Sequence, residues 1–282
     1  MVRLSLPFLT LTLAAVAATP AWSGEVGCRF EAGVIVVPAV VADIAGDYIV
    51  DTGTAQTTLH ETRAQAEGIA GRDLTGGVRL AGVRIGEQPL KVADLDIRTW
   101  NLPSAVVGVI GADVLSAYVV DVRFAPCRVR LSIPGQAPAF HGHVLPMGRD
   151  LGRPTAIASV SDGAHEVTGA FVIATGANVP VRLADDLAQA PGAVRPQELY
   201  PQGVWLARLP QVRFAGSVGR DVAAGLMAPE GDVVGLLGGQ VLAHFHLRFD
   251  FPAGRLVVAP AVETTSDPDR KGPGGVRGLW TR

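Results

Sequence analysis

Chemistry in this chain centres on one carboxylate. Asp51 follows a β-branched run, Asp47-Tyr48-Ile49-Val50, and opens the tetrad Asp51-Thr52-Gly53-Thr54. A strand that delivers an aspartate to a tight turn presents a general acid or base at a fixed place. Gly53 lets the backbone there be approached closely, and the Thr54 hydroxyl is placed to hold the outer oxygen of the Asp51 carboxylate. A plainer reading of Asp51 is an Asx-turn at a strand end. About sixty residues on, Val109-Ile110 leads into Gly111-Ala112-Asp113-Val114-Leu115. His141 and His143 sit in a linker without a third ligand at a useful spacing, so no metal site is assigned. His244 and His246 read as structural or surface residues. Neither a Gly-x-Ser-x-Gly elbow, a phosphate loop nor a Cys-His pair points to other chemistry.

The elements around these residues recur. Gly111-Ala112-Asp113-Val114-Leu115 returns as Gly238-Gly239-Gln240-Val241-Leu242, and Val50-Asp51-Thr52-Gly53 returns as Ile173-Ala174-Thr175-Gly176. Ala64-Gln65-Ala66 and Gly68 return as Ala188-Gln189-Ala190 and Gly192. The offset grows along the chain, as insertions within one duplicated unit require. Each unit reads mainly as strands. The first holds Val34–Val37, Asp47–Val50, Val78–Ile85, Leu90–Ile97 with Gly86-Glu87 as the turn before it, Val106–Ile110, Val119–Phe124 and Arg128–Leu131. The second holds Phe171–Ile173, Trp205–Phe214, Val233–Leu237, His246–Phe251 and Arg255–Val258. The Gly-Ala-Asp-Val-Leu segment reads as a short helix, and Asp185 and Asp186 fall on a helical segment of the second unit.

The strand with Asp-Thr-Gly, the later Gly-x-Asp-x-Leu and the duplication together resemble the aspartic peptidases. Each lobe is similar to a retropepsin, and the tandem is similar to pepsin. The resemblance spans roughly residues 27–262. It implies an all-β fold of two retropepsin-like barrel lobes, related by pseudo-two-fold symmetry, with a cleft between them. It also implies that Asp51 is catalytic, supported by Thr52, Gly53 and Thr54, and that Thr52 and Thr175 brace the two turns. In that family two aspartates share a proton and a water, one acting as base and the other as acid. Here the second motif is degenerate: Ala174 precedes Thr175 and Gly176, and a methyl group neither binds water nor donates a proton. Losing one acid–base partner costs about 10²–10⁴-fold. Asp113 belongs to the second motif as a supporting residue, and Gln240 replaces it in the second unit. The flap over a bound peptide is short in the first unit, whereas Pro191 to Gly203 leaves room for one in the second, with Tyr200 and Trp205 near its tip.

The expected function is therefore that of an exported aspartic-type endopeptidase-like protein with impaired catalysis. The alternative is a non-catalytic pseudopeptidase that binds a peptide or unfolded protein segment in the cleft. No cofactor is expected. Pairing of two chains through their Asp51 turns would restore a dyad, but the second lobe competes for that surface, so a monomer is expected over a homodimer.

Composition agrees with a β-rich chain. Among 282 residues there are 34 Gly and 20 Pro without a collagen period, 48% hydrophobic residues and 18% charged ones. The 24 basic and 26 acidic residues give a net charge of −2, which argues against a nucleic-acid surface or a polybasic membrane anchor. Residues 1–23 read as a signal peptide, with Arg3, an apolar run from Leu4 to Ala18, and Ala21-Trp22-Ser23 before the cleavage point. No later segment is long enough to span a membrane, so a periplasmic or secreted protein is expected. There Cys28 and Cys127 would form one disulfide, free buried thiols being the other reading. The expected organisation is an N-terminal lobe over 24–137, a linker over 138–150, a C-terminal lobe over 151–262 and a flexible tail over 263–282.

Overall fold

Runs such as Val34–Val41 and Ile44–Val50 are rich in residues branched at Cβ, which pack well on a pleated surface, and their side chains alternate between two buried faces. The computed structural model describes residues 23–184, 197–199, 204–228, 230–261 and 280. The expected leader up to Trp22, the helical segment at Asp185 and Asp186, and Tyr200 lie outside the described residues. Ser23, the last residue of the expected leader, opens the strand Ser23–Gly27.

The first lobe is a closed barrel. Its strands run in the order Val34–Val41, Ile44–Val50, Val106–Ile110, Thr58–His60, Val83–Ala93 and Asp73–Leu80, and the last pairs back onto the first. The second lobe repeats this with Arg153–Ser161, Glu166–Ala174, Gly235–Gly238, Val181–Ala184, Ser217–Met227 and Val204–Phe214, again closing on its first strand. Closure removes exposed strand edges. The fold is thus the all-β pair of tandem barrels expected from the sequence.

A separate six-stranded sheet joins the lobes, and at its middle Val119–Phe124 lies antiparallel to Phe245–Asp250. These are the corresponding segments of the two repeats, so the pseudo-two-fold axis passes between them, where a self-complementary antiparallel pair is the natural contact. Arg248, 9% exposed, grips Asp121 across this seam at 2.5 and 2.7 Å. Cys28 and Cys127 are disulfide-bonded. One apolar core runs through both lobes, with Tyr48, Phe171, Phe214 and Phe249 among its largest fully buried side chains. Among the described residues no helix is long and apolar enough to cross a membrane.

Three expectations change. Val78–Ile85 is not one strand: the chain turns at Ala81 and Gly82, with φ of 52° and 76°, and Gly86-Glu87 lies inside Val83–Ala93. A two-residue type I′ hairpin turn needs left-handed backbone at both central residues, and Ala32-Gly33 and Ala215-Gly216 show the same pair of positive φ angles. The strand expected to reach Ile97 ends at Ala93, because the Asp94 carboxylate accepts the Asp96 amide at 2.8 Å and starts the helical turn Asp96–Thr99. Finally, the stretch expected as a linker carries the strands His143–Pro146 and Gly148–Asp150, the first of them completing the central sheet. Of the expected tail only Trp280 is described, and it packs edge-on against Phe245 with ring centroids 5.4 Å apart.

Candidate active-site cleft

Parallel pairing places Asp51. Ile44–Val50 runs beside Val106–Ile110, and the Asp51 amide continues that ladder to the Ile110 carbonyl at 3.0 Å. In the second lobe Glu166–Ala174 runs parallel to Gly235–Gly238, so Ala174 ends its strand at the corresponding place. The two turns then interlock. The Thr52 amide donates to Thr175 Oγ1 at 3.1 Å, and the Thr175 amide donates to Thr52 Oγ1 at 3.2 Å. Each hydroxyl donates across the lobe boundary, Thr52 to the Ile173 carbonyl at 2.5 Å and Thr175 to the Val50 carbonyl at 2.8 Å. Both threonines are fully buried, so these four partnerships leave no hydroxyl or amide of the brace unpaired.

Only glycine fits at two places in this contact. A Cβ on Gly53 would stand 2.3 Å from the Ala174 Cβ, and one on Gly176 would stand 2.4 Å from the Asp51 Cβ. The near-equality of these distances reflects the symmetry of the two turns.

Asp51 is 3% exposed and fully engaged. Its Oδ1 accepts the amides of Gly53 at 2.8 Å and Gly176 at 3.0 Å, one from each lobe. Its Oδ2 accepts the Thr54 hydroxyl at 2.8 Å and Nη2 of Arg98. Arg98 also donates through Nη1 to Thr54 Oγ1 at 2.8 Å and through Nη2 to the Gly176 carbonyl at 3.2 Å. An always-charged guanidinium therefore sits on the carboxylate.

No motif or spacing in the sequence marks Arg98. Its position depends on the helical turn Asp96–Thr99 and on an apolar anchor at each end of the surrounding segment. Leu95 and Leu102 pack with Val34, Val36, Ile49, Val106 and Val109 in a small second core outside the barrel. His60 Nε2 lies 3.0 Å from Asp96 Oδ1 and ties the same turn to the strand Thr58–His60. The Asp94-x-Asp96 spacing, read as an Asx-turn, is the signal that would have ended the strand early. His60, Asp94 and Asp96 are also the one group of metal-ligating residue types that converges among the described residues. The contact of Asp96 with His60 and the turn made by Asp94 account for their positions, and no metal is assigned.

Asp113 supports the turn from behind. It accepts the Thr57 amide at 2.9 Å and the Thr57 hydroxyl at 2.7 Å, while Thr57 Oγ1 accepts the Gly111 amide at 3.0 Å. Gln240 at the matching place donates to the Asn178 carbonyl at 3.1 Å. The cleft in front of Asp51 has a volume of about 410 Å³, with Leu95, Ile97 and Arg98 on one lobe and Asn178, Arg182 and Leu236 on the other. Strands Gln197–Leu199 and Val204–Phe214, which border the stretch expected to hold a flap tip, pair antiparallel.

Two closed barrels, a shared central sheet and interlocked Thr-Gly turns make a bilobal all-β fold with a cleft at the lobe boundary. No family model matches the chain, and no curated protein matches it. Among solved structures it is similar to an aspartic proteinase from Irpex lacteus, at 14% identity over 86% of this chain and 99% of that one, with a TM-score of 0.49.

Proposed function

We propose that the interlobe cleft receives an extended peptide or unfolded protein segment, and that hydrolysis through Asp51 is impaired. The observation that carries this reading is the Arg98–Asp51 ion pair, with Ala174 where a second carboxylate would stand. A general base needs a lone pair directed at water, yet both oxygens of Asp51 already accept two hydrogen bonds each. A general acid must release a proton, which a guanidinium does not do at physiological pH. The cleft thus keeps the architecture of a peptidase without its proton relay, which favours the binding reading over an active endopeptidase.

The interlocked threonines support a single-chain cleft, because the Thr175 turn covers the surface that a second Asp51 turn would need. A disulfide of this span supports residence in an oxidising compartment, periplasmic or extracellular. The test is incubation of the purified protein with unfolded casein, beside Asp51→Ala. The expected outcome is binding, seen by calorimetry, without Asp51-dependent cleavage. Cleavage by the wild type that Asp51→Ala abolishes would overturn the reading.

A further inference from the structure

We infer that the cleft selects peptides bearing a carboxylate, with Arg98 and Arg182 as the residues that determine this preference. The inference rests on the peptide-binding reading and names the ligand class for that same cleft.

Hydrogen-bonding capacity in the cleft is lopsided. Asp51 has no acceptor capacity left, since amides, a hydroxyl and a guanidinium take both oxygens. Arg98 retains donors: its contacts use Nη1 and Nη2, and its Nε–H has no partner among the described residues. Its side chain is 30% exposed and lines the cleft. Arg182 approaches from the other lobe on the strand Val181–Ala184, exposed, lining the same cleft and without an ion pair among the described residues. Asp94 is the remaining acidic residue of the lining, exposed, with one oxygen on the Asp96 amide.

The free guanidinium donors of this space favour a ligand that supplies acceptors. A carboxylate supplies the strongest ones for guanidinium donors. Charge balance agrees. Arg98 would bridge Asp51 and the ligand carboxylate, and Arg182 would provide the second positive charge that offsets the pair. The exposed Asp94 opposes this least, because solvent and salt screen it. A neutral peptide offers the spare guanidinium donors only its carbonyls, which are weaker acceptors than a carboxylate and leave the second positive charge without a counter-charge.

The carboxylate has two sources in a peptide, an acidic side chain or the C-terminus. Four unlabelled versions of one apolar peptide separate them: central Glu or Gln, each with a free or amidated C-terminus. Calorimetric titration at low ionic strength is expected to show at least one carboxylate form binding about tenfold tighter than the fully neutral form. Added salt should shrink that ratio. Arg182→Gln and Arg98→Gln should each bring it towards one, whereas Arg182→Lys keeps part of it. Circular dichroism checks that each variant is folded; if a Gln variant is not, Arg182→Lys and the salt series still decide. Equal affinity for all four peptides would overturn the carboxylate preference and leave the peptide-binding reading standing. Failure of every peptide to bind would remove both.

Discussion

Arg98 and Asp51 form an ion pair at the centre of the cleft, with Thr54 hydrogen-bonded to both. On the proposed reading, two features would separate this site from a working dyad: the methyl group of Ala174 and the guanidinium that holds Asp51.

These two features are coupled, and the coupling is measurable. In Ala174→Asp alone, Arg98 would lie beside two carboxylates and keep both ionised, leaving no proton to share. In Ala174→Asp with Arg98→Gln, mutual repulsion raises one carboxylate and a shared proton becomes favourable. Casein cleavage between about pH 3 and 7 should thus rise by about 10²–10⁴-fold from the single to the double variant. Equal activity in the two would show that Arg98 does not silence the site.

The threonine brace should carry stability. In Thr175→Val the Thr52 amide and the Val50 carbonyl lose their partner in a fully buried contact. Each unsatisfied buried group costs about 1–3 kcal/mol. Urea denaturation is expected to show a loss of roughly 2–6 kcal/mol, and a loss below 1 kcal/mol would mean that water replaces the hydroxyl.

Gly176→Ala tests the close approach of the turns. Its Cβ would fall 2.4 Å from the Asp51 Cβ, which cannot yield without moving backbone, and 2.7 Å from Cγ2 of the fully buried Ile49. Overpacking of this kind costs about 1–3 kcal/mol. Gly216→Ala, which adds a methyl where no atom lies within 4 Å at φ of 78°, isolates the cost of backbone strain alone.

Burial, and after it the charge of Arg123, holds His246 below its ordinary value of 6.5. A depressed folded value means that the unfolded chain binds the extra proton first. The stability this group contributes is complete above the unfolded value and is lost as pH falls through the lower folded one. Thermal melts of His246→Gln should therefore fall less steeply than those of the wild type as pH drops below about 6.5. Identical slopes would show that His246 is not the titrating group.

Reduction of the Cys28–Cys127 bridge releases a loop with a sequence separation of 99. The chain-entropy model assigns such a loop about 4–5 kcal/mol. Denaturation with and without reductant, set against the Cys28→Ser/Cys127→Ser double variant, measures how much of that survives in this protein.

Much of this architecture is legible in the order of residues alone. The duplicated motifs give two lobes, and the β-branched runs give most of the strands that carry Asp51 and Ala174 to matching strand ends. The Thr52–Thr175 contact is implied by the family resemblance rather than by the spacing. Boundaries were harder where a turn used unremarkable residues: Ala81-Gly82 splits a run that reads as one strand, because φ at Ala81 is set by pairing of the flanking strands rather than by its own preference.

The sequence by itself determined the duplication, the aspartate at Asp51 and the alanine at the matching place, Ala174, since these are matters of residue identity and order. It did not contain the partner of Asp51 in any readable spacing, because Arg98 lies 47 residues away. Only tertiary structure brings the two together, through an Asx-turn at Asp94 and the packing of Leu95 and Leu102 on the outside of the barrel. A long side chain on a surface segment has no periodic signature. What fixes its charge at the cleft is the low exposure of Asp51, which favours a paired cation there over water.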